Sequence, residues 1–175
     1  MKRHRKTIQY VVLFLVLLIG GYAIGQSMFA KTPVLKAGDR PPEFRLADLE
    51  GNVHDSSEYA GKPLIINFWG TFCPPCRAEM PALQKVYDKW KDEGVQLIGI
   101  NLSEDRLSVQ NFIRQVGTDF PILLDKNRQV EKQFGLKQYP TTFFVRPDGT
   151  IADMIIGGPL SEDQIEWQVR RLIES

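Results

Sequence analysis

Leu64-Ile65-Ile66-Asn67-Phe68-Trp69-Gly70-Thr71-Phe72-Cys73-Pro74-Pro75-Cys76 is the stretch on which the fold turns. It opens as a short apolar run after Gly61-Lys62-Pro63, the pattern of a buried central strand. It then passes straight into a helix predicted over Pro74 to about Glu93. Met80, Leu83, Tyr87 and Trp90 share one face of that helix, and Gly94 stops it. Pro74 suits the first helical position, where its missing N–H costs nothing. Cys73 then falls at the N-cap, where free backbone N–H groups and the positive end of the helix dipole lower a thiol's pKa. Cys76 lies one turn later on the same face, close enough to close a disulfide. Cys73 is the better candidate for an attacking thiolate, and Cys76 for a resolving thiol.

Outward from this stretch the chain alternates. Phe44–Leu49 and Val53, joined by Glu50-Gly51-Asn52, read as a β-hairpin. Val95–Leu102 is the next strand, Val109, Phe112, Ile113 and Val116 mark a helix, Ile122–Leu124 is a short strand and Val130–Phe134 a short helix. Thr142–Val145 and Ile151–Ile156 flank the turn Pro147-Asp148-Gly149-Thr150. Ser161 caps a last helix, with Glu162 and Asp163 in its first turn and Arg170 and Arg171 in its last. Strand–helix–strand alternation requires parallel pairing with helices on both faces, and the final hairpin adds antiparallel strands. The fold class is α/β with a mixed central sheet.

The first thirty residues read as a membrane address. Lys2, Arg3, Arg5 and Lys6 are the only charges before residue 31, and residues 10–29 are largely apolar. Twenty helical residues span about 30 Å, the thickness of a bilayer's hydrocarbon core. The positive-inside rule keeps the N-terminus cytoplasmic and puts the rest outside the cell membrane as a single-pass protein. A cleaved signal peptide is the alternative, with Ala23-Ile24-Gly25 and Gly25-Gln26-Ser27 as passable cleavage sites. The chain divides into a basic tail (1–9), a transmembrane signal anchor (10–29), a linker (30–36) and an extracytoplasmic domain (37–175).

Composition narrows the function. The chain has 175 residues, 43% of them hydrophobic, enough for one domain with a real core. Beyond residue 30 it carries 18 basic and 21 acidic residues, which argues against nucleic acid as a partner. Two cysteines and two histidines do not supply a zinc site, and no metal is expected. Arg77 stands where a Cys-x-x-Cys-His haem site would need its histidine. A fixed structural disulfide is a poor alternative, because residues three apart close a loop too small to constrain the unfolded chain much. Redox chemistry at Cys73 and Cys76 is the reading that remains.

Trp69-Gly70-Thr71-Phe72-Cys73-Pro74-Pro75-Cys76, followed by Pro81 and by Tyr139-Pro140-Thr141-Thr142-Phe143, resembles the thioredoxin superfamily. The N-terminal anchor, the lead-in Gly38-Asp39-Arg40-Pro41-Pro42-Glu43-Phe44, the hairpin extension, Asn67-Phe68-Trp69 and the insert around Asn101–Asp119 are closer still to its membrane-anchored branch typified by ResA, with TlpA- and CcmG-like siblings. The resemblance covers about residues 35–173 and implies a thioredoxin-like fold with an N-terminal β-hairpin extension.

The same resemblance implies a reductant of the Cys-x-x-Cys disulfide of apocytochrome c, ahead of haem attachment. A CcdA- or DsbD-type membrane thiol relay would supply its electrons. No cofactor is implied beyond the redox-active disulfide Cys73–Cys76. Glu79, three residues after Cys76, matches a family acid that relays protons; from spacing alone it reads equally as an exposed helical glutamate. Glu104 matches a second family acid near the site, against the plain reading of a solvated loop residue. The family holds the Tyr139–Pro140 bond cis, beside the disulfide, freeing the Tyr139 backbone to pair with a substrate strand; an ordinary trans proline entering an edge strand is the alternative. Pro74 and Pro75, between the cysteines, help set the redox potential and replace the Glu-Pro pair common in ResA. Trp69 either shields the disulfide or is simply a core aromatic. Pro81 should kink the helix near Arg77. Three rival functions stay in view: a sibling reductant for another envelope or spore protein, a thiol peroxidase and a copper chaperone. Peroxidases of the related fold place Thr three residues before the reactive cysteine, whereas Thr71 is two before Cys73. Copper chaperones use Cys-x-x-x-Cys.

Overall fold

The computed structural model describes residues 10–22 and 35–174. Residues 10–22 are helical. Among the described residues no helix is long and apolar enough to cross a membrane. Residues 23–29 of the expected anchor, the basic tail 1–9 and residues 30–34 of the linker lie outside the described residues.

In the domain the elements follow in the order β1 (Arg45–Asp48), β2 (Val53–Asp55), a 3-10 turn (Ser56–Tyr59), β3 (Leu64–Trp69), α1 (Pro74–Trp90), β4 (Gln96–Leu102), α2 (Arg106–Val116), β5 (Ile122–Asp125), α3 (Gln129–Gln133), β6 (Thr141–Val145), β7 (Ile151–Ile156) and α4 (Glu162–Ile173). The strands form one sheet in the order β2-β1-β5-β4-β3-β6-β7. β3 pairs parallel with β4, and β4 with β5. β6 runs antiparallel to both β3 and β7, and β1 antiparallel to both β2 and β5. The mixed sheet expected from the alternation is therefore present.

Local chemistry explains the boundaries. The Asp48 carboxylate accepts from the backbone N–H groups of Glu50, Gly51 and Asn52 at 2.7–2.9 Å, closing the first hairpin, with Gly51 at φ +98°. His54, facing Asp48 at 3.2 Å and the Tyr59 hydroxyl at 3.0 Å, ties that hairpin to the 3-10 turn. At α4 the Ser161 side chain accepts from Gln164 N–H while the Gln164 side chain accepts from Ser161 N–H, a reciprocal cap.

The two faces of the sheet bury different layers. Ile65, Trp69 and Leu97 point to a core shared with α1, α2 and α4. Ile66, Phe68, Ile98, Ile100 and Phe143 point to a second core closed by Val130 and Phe134 around α3 and by Leu35, Phe44 and Tyr59 from the lead-in and first turn. α1 runs unbroken from Pro74 to Trp90 with Pro81 inside it. Cys73 lies at its N-terminus, directly beyond the end of β3.

Candidate active site at the start of the first helix

Trp69 ends β3, and the chain needs a tight passage from strand to helix. Gly70 provides it: a Cβ there would lie 2.3 Å from the Phe72 ring, which folds back over it. Cys73 takes an extended N-cap conformation, φ −103° and ψ 104°, and Pro74 begins the helix. The Cys73 Sγ accepts from the Cys76 N–H at 3.3 Å, so the helix end points at this sulfur. Cys73 and Cys76 form a disulfide with their Cα atoms 5.3 Å apart. Cys73 is 7% exposed and Cys76 fully buried, so of the two cysteines only the first offers any surface to an incoming group. Pro74 is exposed and Pro75 half-buried.

Glu79 is not an exposed helical glutamate: it is fully buried. Its Oε1 accepts from Asn67 Nδ2 at 2.8 Å, and its Oε2 accepts from the Leu160 N–H at 3.0 Å. Asn67 Nδ2 also donates to Thr142 Oγ1 at 2.9 Å, joining β3, α1 and β6. Burial pushes the Glu79 carboxyl up to about 7, against the hydrogen bonds from Leu160 and Asn67 that pull it down. Gly158 lies over this carboxylate. A Cβ there would stand 2.7 Å from Glu79 Oε2 and 2.7 Å from the Pro140 ring. Glu79 and Pro140 are therefore neighbours across Gly158.

The Tyr139–Pro140 bond is cis, as the resemblance implied, and so is Gly158–Pro159, which the sequence reading did not single out. The Pro140 carbonyl accepts from Gly157 N–H at 2.8 Å. Tyr139 is half-buried, and its ring stands edge-on to Phe72 with centroids 6.4 Å apart. Glu104 is half-buried rather than solvated. It accepts from the Thr71 backbone N–H at 2.7 Å, from the Thr71 hydroxyl and from Asn101 Nδ2 at 2.8 Å, pinning the loop before Cys73 to the end of β4. Trp69 is fully buried, packs against Phe112 with centroids 5.5 Å apart and belongs to the same core as both cysteines. Its Nε1 has no hydrogen-bond partner among the described residues.

Asn67, Thr71, Phe72, Asn101 and Gly158 all touch this site, and the sequence alone assigns none of them a role in it. The one available signal was Asn67, a polar residue inside an otherwise apolar run. Among the described residues no group of three or more His, Cys, Asp or Glu side chains is placed to hold a metal ion. Chemically, the arrangement offers a sulfur pair at a helix N-terminus and a buried acid that titrates near neutral pH.

The chain is similar to known proteins in sequence and in fold. The model of the AhpC/TSA family matches residues 37–154. A protein of Geobacillus thermodenitrificans named thiol-disulfide oxidoreductase ResA is 36% identical over 162 residues, covering 93% of each chain. A thiol:disulfide interchange protein of the thioredoxin family from Chlorobium tepidum has a crystal structure with a TM-score of 0.71 at 26% identity, over 78% of this chain and 97% of that one. StoA from Bacillus subtilis gives a TM-score of 0.64 at 29% identity, over 78% and 98%.

Proposed function

The chain belongs to the AhpC/TSA family and is a thiol–disulfide oxidoreductase; on that premise we propose that it is a membrane-anchored reductant that opens the Cys-x-x-Cys disulfide of apocytochrome c outside the cell membrane. The observation that carries a thiol-exchange role is the placement of Cys73. It caps α1, accepts from a backbone N–H, and is the only one of the two cysteines with exposed surface.

In the reduced enzyme the Cys73 thiolate attacks one sulfur of the substrate disulfide. A mixed disulfide forms and the second substrate sulfur leaves as a thiolate that takes up a proton. Cys76 then attacks Cys73 Sγ and releases the first substrate sulfur. Two electrons pass from the enzyme dithiol to the substrate, and the enzyme ends in the disulfide form described here. Glu79, one turn beyond Cys76 and titrating near 7, takes up and returns the proton of the buried thiol as the bond closes and reopens. Tyr139, packed against the core that holds both cysteines, and Pro140 receive the substrate chain; Trp69 and Glu104 support them. A CcdA- or DsbD-type thiol relay in the membrane returns the electrons, and the basic, apolar N-terminus holds the domain beside it.

Equilibration of the protein with redox buffers tests the direction. A potential near thioredoxin's roughly −270 mV supports a reductant, and one near DsbA's roughly −120 mV overturns it. Haem staining of cells lacking the protein tests the substrate: cytochrome c should be missing and should return when a small reducing thiol is added. Normal cytochrome c in those cells would assign the enzyme to a sibling role.

A further inference from the structure

The Tyr139 side chain is gripped from behind by a charged cluster that the exchange chemistry does not use. Its hydroxyl donates to Glu131 Oε1, and Arg128 Nη2 donates to that hydroxyl at 2.7 Å. Arg128 also pairs with both oxygens of Glu131, through Nη2 at 2.7 Å and through Nε. Glu131 is 6% exposed, and its backbone N–H is fixed on Asp125 Oδ2 at 2.8 Å. Asp125, at the end of β5, is itself 2% exposed. Arg128 reaches this position at φ +54°, in the left-handed region that disfavours a residue with a Cβ.

Stability does not explain such a cluster. The Arg128 side chain is 44% exposed, and an ion pair open to water contributes only about 0–1 kcal/mol, while the backbone at Arg128 is strained. Its effect is geometric. Burial and the hydrogen bond to Glu131 push the Tyr139 phenol above its ordinary value, so it remains a donor through the working pH range. With its hydroxyl held, the ring cannot swing, and its edge-on partner is Phe72, the residue before Cys73, which is 59% exposed.

We propose that Glu131 and Arg128 are positioning residues that hold the Tyr139 ring as a fixed wall beside Cys73, against which a polypeptide disulfide is seated and which a small disulfide does not use. The proposal rests on the thiol exchange at Cys73 argued above. A small disulfide needs only access to one sulfur. A polypeptide must also lay its flanking chain along the surface around that sulfur, and a loose Tyr139 weakens this seating before any bond changes.

The test uses the pre-reduced full-length chain in detergent, with a disulfide-bonded Cys-x-x-Cys peptide and with bis(2-hydroxyethyl) disulfide. Thiol consumption against peptide concentration gives a half-saturation concentration and a limiting rate. Glu131→Leu should raise the half-saturation concentration about tenfold and leave the limiting rate and the small-disulfide rate unchanged. Glu131→Gln, which keeps an acceptor for the hydroxyl, should restore seating. In a Tyr139→Phe background Glu131→Leu should add nothing further, since the effect runs through the hydroxyl. An unchanged half-saturation concentration in Glu131→Leu overturns the proposal, as does equal slowing of both substrates. Where Glu131→Leu does not fold, Tyr139→Phe alone must raise the half-saturation concentration, or the proposal fails. Wild-type chain that exchanges with neither disulfide refutes the thiol-exchange reading itself, and the positioning role with it.

Discussion

Asn67 and Phe68 are adjacent on β3, yet they face unlike interiors. Phe68 meets Phe134 at 4.9 Å and Phe143 at 5.9 Å between centroids, within a layer of Ile66, Ile98 and Ile100. Asn67 meets a carboxylate and a threonine hydroxyl. On its side of the sheet Asn67 Oδ1, Trp69 Nε1 and Asn101 Oδ1 are buried with no hydrogen-bond partner among the described residues. Buried polar groups cost free energy unless they are satisfied, so this face is the expensive one. Those three gather at the end of β3 that leads to Cys73, whereas Trp90 Nε1 and Thr118 Oγ1, orphaned in the same way, lie away from it. One face is built for cohesion, and the other gives up some cohesion to hold an acid and a disulfide in place.

The largest effect expected on the polar side is loss of chemistry without loss of fold. Cys73→Ser removes the attacking thiolate and should abolish exchange. Cys76→Ser removes only resolution and should accumulate mixed disulfides, visible on non-reducing gels. If Cys73→Ser instead accumulates them, the two roles are reversed. The apolar side should behave in the opposite way. Phe68→Ala should lower unfolding free energy in urea by about 3–5 kcal/mol, with exchange per folded molecule intact. Folded Phe68→Ala that no longer exchanges would mean that the two faces are not separable.

Glu79 sharpens the contrast through pH. Its carboxyl titrates at about 7 when folded, against an ordinary value of 4.5. Between those values the folded chain keeps a proton that the unfolded chain has released, so raising the pH favours unfolding. The stabilisation linked to this proton is fully present below about pH 4.5, falls through the window and is gone above about 7. Glu79→Gln carries no such proton. The stability of wild type relative to Glu79→Gln should therefore fall by roughly 3 kcal/mol from pH 4.5 to 7, measured by urea unfolding at a series of pH values. A flat difference would sink the assignment. Peptide reduction by the variant should also lose the inflection near neutral pH that the Glu79 carboxyl contributes.

The strands, the helices and the cysteine pair were legible in the chain because each is written locally: apolar alternation, a capping serine, a proline after Cys73. Glu79 was legible only in part. Helical spacing brings it near Cys76, but its burial depends on Leu160, 81 residues away, and no local pattern encodes that contact. Apart from the resemblance, Glu104 reads as a loop acid because its partner Thr71 lies 33 residues back. The grip of Glu131 on Tyr139 was invisible for a similar reason, since α3 is a five-residue helix whose apolar pattern says little about its polar side. Polar contacts over long sequence distances set this site, and periodicity reports only which side chains seek water.

The smallest effect expected lies where the polar face meets a helix end. Ser161 caps α4, and the residue before it, Leu160, donates its N–H to Glu79. Ser161→Ala should cost about 1 kcal/mol, the usual worth of such a cap. The informative part is how that loss depends on pH. The loop carrying Leu160 is also held by the Gly157 N–H on the Pro140 carbonyl, and Leu160 is itself buried in the core under α1. Those two restraints hold the Leu160 N–H in place whether or not the helix end frays. The loss should therefore be the same at pH 4.5 and at pH 7.5, with the Glu79 window unmoved. A loss that grows with pH would mean that the cap positions the donor which favours the ionised carboxylate. The acid and the helix end would then form one unit, and the boundary between the cohesive and the chemical face would have to be redrawn around α4.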